Sequence, residues 1–278
     1  MLQVTIAIPV YNAERYLHNT IQSVINQSYR NWVLYLINDG STDNSLSMMH
    51  EFSACDSRIH VIDDGCNRGL VARLNQSVSI TNTKYYARMD ADDIMYVTRI
   101  EEQVKFLEEH PEIDVLGTSV MTIDNENRII GSGMYSGEVE GFIHPTVMGK
   151  TEWFKANPYC DWAVRAEDFE LWSRTSSKSV FYSLDKPLLF YREFGVPTLK
   201  KTLQSLYMVF KISSRYRKYG KPFSWFVRKG ISSILKMFVY CFFAALGKMD
   251  YVVSMRKRKP LPKVKRLSES DLSRCIQA

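Results

Sequence analysis

The sequence predicts an α/β protein: a mostly parallel, doubly wound sheet flanked by helices, with a helical basic and apolar tail at the C-terminus. Three observations point there. Short apolar, β-branched runs alternate with amphipathic segments as far as about residue 121, the pattern of strand–helix–strand units. The sharpest polar clusters follow those runs, at the carboxyl ends of strands, where open α/β sheets bind ligands. From about 197 the alternation stops and long basic, aromatic segments take over. The composition agrees: 278 residues, 45% hydrophobic and 24% charged, exclude a disordered or low-complexity chain.

In chain order, Val4–Val10 is a buried strand ended by Pro9 and Tyr11-Asn12. Residues 13–29 place Tyr16, Leu17, Ile21, Val24 and Ile25 at helical spacing. Trp32–Ile37 is the second strand, and Asn38–Asp43 supplies a turn and a helix cap ahead of Leu46–Phe52. Ile59–Ile62 leads to the glycine-bearing loop 65–69 and a helix from Leu70 to Ser79. Tyr85–Met89 runs directly onto Asp90-Ala91-Asp92-Asp93. Arg99–Glu109 is a helix stopped by Pro111, and Ile113–Met121 is a further strand. Residues 122–165 read as loops with short strands, Ala166–Thr175 as a helix start, and Pro187–Tyr191 as a final short strand. No GxGxxG follows the first strand and no GxxxxGK[ST] occurs, so dinucleotide and P-loop readings lack their phosphate cradle. The five cysteines are scattered without a CxxC pair, against a disulfide framework or a cysteine zinc site. No basic-then-apolar leader opens the chain, so the expectation is a cytoplasmic catalytic part.

Asp90-Ala91-Asp92-Asp93 carries the most chemistry. Three carboxylates in four residues repel one another, and a hard divalent cation such as Mg²⁺ or Mn²⁺ would offset that cost while bridging to diphosphate oxygens. The competing reading is an acidic cap on a helix starting near Ile94. Asn38–Asp43 lies on a neighbouring strand end, where a carboxylate could accept hydrogen bonds from a base or ribose, or simply build the turn. Tyr11 could stack on a base, or pack.

Residues 4–12 (VTIAIPVYN), 37–45 (INDGSTDNS), 67–75 (NRGLVARLN) and 87–93 (ARMDADD), with HPTVM at 144–148, AEDFELW at 166–172 and PLLFYRE at 187–193, resemble the family-two glycosyltransferases of GT-A fold. The resemblance covers roughly residues 3–195. It implies inverting transfer of a sugar from a nucleotide-diphosphate donor, with UDP the commonest handle. It also implies roles for matching positions. Pro9, Tyr11 and Glu14 belong to the nucleotide loop, Asp39 contacts the base, and Asp90 lies near ribose and metal. Asp92 is the direct metal ligand. Arg73 and Arg88 contact the diphosphate or donor sugar, or act as structural ion-pair partners. Gly69 permits close backbone approach to the donor. Asp168 is the general base that takes the acceptor hydroxyl proton, with Glu167 supporting the loop. His144 completes the metal shell, touches acceptor or donor phosphate, or is structural. Between His144 and Glu167 the family usually has a glycine-containing turn, whereas this chain reads NPYCDWAVRAED, which points to a reshaped acceptor side.

The net charge of +6 hides an asymmetry: residues 200–278 hold 19 Lys/Arg against Asp250, Glu269 and Asp271, a net of +16, and the remainder is −10. Residues 223–247 are the most apolar stretch and are flanked by basic residues. The expectation is two regions, 1–198 catalytic and 199–278 helical. The tail would lie peripherally on the inner face of the cell membrane through anionic lipid heads, pack on protein, or form a homodimer. An acidic body argues against a nucleic-acid partner. The expected acceptor is a lipid-linked or surface glycan. The rival readings are a nucleotidyltransferase of similar architecture, which would consume NTP and release pyrophosphate, and an inactive membrane scaffold.

Overall fold

The computed structural model describes residues 3–133, 137–254 and 266–277. The first strand, β1 (Val4–Val10), is buried along nearly its whole length. A strand covered on both faces reads as a continuous apolar run, and this is why it was legible. α1 (Glu14–Ile25) buries Leu17, Ile21 and Val24, the stripe its spacing predicts. β2 (Trp32–Asn38), α2 (Ser45–Cys55), β3 (Ile59–Ile62), α3 (Leu70–Ile80) and β4 (Tyr85–Arg88) follow. β1 pairs in parallel with β2 and with β4, and β2 with β3. The order β3-β2-β1-β4 reverses direction at β1, so the crevice beyond the ends of β1 and β4 is a topological switch point.

Past that point the sheet becomes mixed. β5 (Ile94–Met95) and α4 (Arg99–Glu109) lead to the long buried β6 (Val115–Ile123), which forms a hairpin with β7 (Ile129–Gly133). β8 is Gly137–Glu138. After a 3₁₀ turn at His144–Thr146, β9 (Met148–Lys150) inserts antiparallel between β4 and β6, and α5 (Thr151–Ala156) follows. α6 is Glu167–Thr175. The last strand, β10 (Phe181–Arg192), is longer than Pro187–Tyr191. Its register against β6 shifts at Pro187, where the missing N–H interrupts the ladder. Because β5 occupies Ile94–Met95, no helix starts there, and the acidic-cap reading of Asp92 and Asp93 fails: α4 begins at Arg99.

The tail contains α7 (Leu199–Ser213), α8 (Phe223–Phe226), a π-turn at Val227–Ile231, α9 (Ser232–Ala245), α10 (Met249–Ser254) and α11 (Glu269–Ile276). Contacts divide the chain into two units. One holds Met1–Pro158, Ser179–Glu193 and Lys259–Ala278, and the other Tyr159–Lys178 and Phe194–Arg258. The last helix therefore groups with the sheet, unlike the single 199–278 appendage expected. Leu272 and Cys275 pack with Ile94, Met121, Ile123 and Phe190, and Asn26 Nδ2 donates to the Cys275 and Gln277 carbonyls. Among the described residues, no helix is long and apolar enough to cross a membrane. The basic run Arg256–Lys259 with Lys263 and Lys265 lies outside the described residues.

Candidate active site

The loops after β1 and β2 are zipped together by polar groups. Asn12 takes a left-handed φ of 48°, and its side-chain carbonyl accepts from Thr42 N at 2.8 Å. Its own N–H donates to Ser41 Oγ. Glu14 N donates to Asp43 Oδ2, and Glu14 accepts in return from Asn44 N at 2.9 Å. Ala13 N donates to Ser45 Oγ. Of the expected nucleotide residues, Glu14 thus joins this polar network, while Tyr11 is 54% exposed and Pro9 lies inside β1. Asn12 had no assigned role; its place between a strand end and a helix start was the available signal.

Asp39 is buried at the end of β2 and holds the next loop. Its Oδ1 accepts from Arg68 N (2.8 Å), Gly69 N (3.1 Å) and Arg73 Nε (2.9 Å), and Gly69 N also reaches Oδ2. Arg73, fully buried on α3, spends all five N–H groups within this network. They go to Asp39, both oxygens of Asp64, Gln76 Oε1 and the Cys66 carbonyl. No N–H is left for a diphosphate, so Arg73 sits as the ion-pair partner and clamps the 63–69 loop. The Arg73 guanidinium holds the Asp64 carboxyl far below the usual carboxylate range. Gly69 has φ +82° with open space where a Cβ would stand, so the backbone is free to be approached there. Gly40 is more constrained: at φ +69°, a Cβ would stand 2.8 Å from Asn67 N.

The third cluster follows β4. Ligand oxygens of Asp90, Asp92 and Asp93 all lie within 4.8 Å of one another. Burial, reinforced by the Asp90 charge, pushes the Asp92 carboxyl up to about 6. Asp93 is fully buried and raised well above the usual carboxylate value, by burial first and then by Asp90 and Asp92. Its Oδ1 accepts from Arg192 N at 2.8 Å, while Oδ2 has no partner among the described residues. Carboxylates pushed toward the proton, one with an orphaned buried oxygen, are what removal of a cation from an oxygen site would leave. The donor set fits Mg²⁺ or Mn²⁺ in chemistry.

Three buried arginines surround these carboxylates. Arg88 pairs with Asp90. Arg99 donates from Nε to Gln103 and from one terminal nitrogen to the Arg88 carbonyl; burial lowers it to about 9, against the Asp93 charge. Arg192, at the end of β10, was quoted in its motif without a role. Its Nε donates to the Asp92 carbonyl at 2.8 Å, its terminal nitrogens reach the Asp124 carbonyl and Asn127 Oδ1, and its guanidinium lies 4.3 Å over the Tyr16 ring. It braces the acidic loop against α1 and the β6–β7 hairpin. His144 is buried, and burial with the Arg88 charge keeps its imidazole neutral, far below the ordinary value. The carboxylate cluster among the described residues consists of the three aspartates without His144.

Asp168 belongs to the second unit, in the first turn of α6, where an acid favours the helix dipole. It is half-buried and its Oδ1 accepts from Phe169 N. Glu167 beside it is buried. α6 is anchored by Glu170, a nearly fully buried carboxylate that accepts from Arg174 Nε and, at 2.9 Å, from the Tyr219 hydroxyl. Glu170 lies inside the quoted AEDFELW motif; nothing in its spacing distinguished an anchor from a surface acid.

Comparison with known proteins agrees with this geometry. Residues 5–171 match the family model of glycosyl transferase family 2. An uncharacterized glycosyltransferase of Haemophilus influenzae is 33% identical over 215 residues, 70% of this chain and 67% of that one. The Bacillus subtilis protein EpsE, provisionally named a glycosyltransferase, is 34% identical over 203 residues, 69% of this chain and 73% of that one. Among solved structures, Staphylococcus aureus TarS 1–349 in complex with UDP-GlcNAc superposes with a TM-score of 0.64 at 16% identity. That match covers 77% of this chain but only 66% of the TarS chain. The chain belongs to glycosyl transferase family 2 and has the GT-A fold. It is a glycosyltransferase.

Proposed function

We propose that this glycosyltransferase moves a sugar, with inversion, from a nucleotide-diphosphate donor to a lipid-linked or surface glycan at the cytoplasmic face of the membrane, and that it depends on Mg²⁺ or Mn²⁺. The observation that carries the reading is the convergence of Asp90, Asp92 and Asp93 within 4.8 Å at the switch point of the sheet. Asp92 and Asp90 would hold the ion, which when bound offsets charge on the diphosphate. The donor is a UDP-sugar in this reading, supported by the UDP-GlcNAc bound to TarS. The 9–14 and 38–45 loops form the nucleotide shelf, with Asp39 Oδ2, which among the described residues accepts from Gly69 N alone, turned to the base. Gly69 lets the donor approach the backbone. Arg88, paired with Asp90, orients that carboxylate.

Asp168 takes the proton from the attacking acceptor hydroxyl as general base. Its place in the first turn of α6 is one where the helix dipole favours an acid.

Thermal unfolding with UDP-, GDP- and dTDP-sugars in the presence of Mn²⁺ tests the donor assignment, because a ligand of the native state raises its stability. A UDP-sugar should stabilise the wild type and, equally, Asp168→Asn. Asp92→Ala should lose that stabilisation. Transfer to a glycan acceptor should disappear in both variants. Release of pyrophosphate from an NTP would instead establish a nucleotidyltransferase. Near-wild-type transfer by either variant removes that residue from its role.

A further inference from the structure

We infer that the outer face of α8–α9 is a docking surface that seats the protein in the plane of an anionic lipid bilayer. This deepens the membrane part of the reading above and is independent of the transfer chemistry. Two faces of the helix tell the story. Trp225, Gly230, Ser233 and Tyr240 are buried, and a Cβ at Gly230 would stand 3.1 Å from the side chain of Ser213 on α7. The other face carries Phe223, Val227, Ile231, Leu235, Phe238, Val239, Phe242 and Leu246, each at least 40% exposed and Phe238 71%. At the turn angle of a regular helix, the six from Ile231 onward fall within an arc of about 100°. A soluble surface does not ordinarily gather so many large apolar groups in one contiguous stripe.

The charge around the stripe selects the occupant. From 199 to 254 the chain carries eleven Lys/Arg against the single acid Asp250. Arg228 and Lys236, both exposed, flank the stripe, and exposed Lys248 follows it. Aromatic and aliphatic groups with basic borders match an interfacial helix, whose apolar face enters the acyl boundary while cations meet anionic heads. A second copy fits poorly. In a two-fold interface the same patch meets itself, so exposed Lys236 and Lys248 of both copies would be brought together. The face opposite the stripe is committed to α7, and no described helix is long enough to span. The geometry is therefore in-plane seating.

The test is co-sedimentation of the full chain with phosphatidylcholine vesicles lacking or containing phosphatidylglycerol, at low and at 0.5 M salt. The expected result is binding that favours anionic vesicles and persists in part at high salt. Phe238→Ser with Phe242→Ser should weaken it about tenfold or more, since both rings lose their apolar burial in the acyl boundary. Ile130→Ser with Val180→Ser, at exposed apolar sites in the sheet unit, should leave it unchanged. Stabilisation by UDP-sugar and Mn²⁺ should be equal in all variants, which separates this proposal from the donor reading. Undiminished binding by the Phe238/Phe242 variant overturns it. So does binding abolished by salt, or a wild type that ignores vesicles and sediments as a dimer which the double variant dissociates.

Discussion

Replacing Arg73 separates two roles that the sequence left open. If the guanidinium were a diphosphate contact, Arg73→Lys would keep the fold and lose donor affinity. The structure makes it the clamp of the 63–69 loop instead, so stability should fall first. Arg73→Met removes five donated hydrogen bonds and leaves Asp39, 6% exposed, with only the Arg68 and Gly69 amides. Asp64 is more open, with 28% of its side chain exposed, and water recovers most of its loss. The cost then sits on the Asp39 side, and stripping one partner from a buried ion pair costs about 3–5 kcal/mol. At an m-value of about 3 kcal/mol/M, the urea midpoint should drop by about 1–1.7 M. Arg73→Lys, with one ammonium in place of a five-donor fork, should recover less than half of that. A loss below about 1 kcal/mol for Arg73→Met, measured by urea unfolding, together with abolished donor binding, refutes the clamp.

Three further outcomes are expected. Gly40→Ala should cost at least about 2 kcal/mol in the same urea assay, because a left-handed φ is unfavourable for alanine and its Cβ would stand 2.8 Å from Asn67 N. Asp92, raised from 3.8 to about 6, binds its proton more tightly folded than unfolded; its contribution to the metal-free fold is full below about 3.8 and lost as pH rises through about 6. Mn²⁺ must displace that proton, so its affinity by calorimetry should fall about tenfold per pH unit below about 6, and an affinity flat from pH 4.5 to 7.5 would contradict this. Tyr219→Phe should destabilise by about 1–3 kcal/mol, since it takes a donor from the buried carboxylate of Glu170; an unchanged melting temperature would show that its remaining partners, Arg174 and Cys160, satisfy Glu170 without it.

Much of the sheet was legible because β1, β2 and β6 are buried on both faces and each reads as an uninterrupted apolar run. β10 was recognised only from Pro187 onward. Its first half alternates buried and half-buried residues, and the proline at the register shift looks like a boundary. The acidic cluster stood out because three carboxylates in four residues are costly wherever they are. Whether a neighbouring residue feeds that cluster or holds up the fold was not legible for Arg73, His144 and Arg192. Each is a polar residue beside a motif, and only its partners distinguish the roles.

By itself, the order of apolar runs and polar clusters predicted an α/β fold, because strand ends are encoded locally by where hydrophobicity stops, and the resemblance of the quoted motifs pointed to the family. Tertiary structure alone decided that Arg73 is spent on Asp39 and Asp64, that Arg192 from a hundred residues away props the Asp92 loop, and that α9 turns its phenylalanines outward. A buried guanidinium must find acceptors wherever the fold supplies them, and a helix apolar on two faces can bury only the one its neighbour covers.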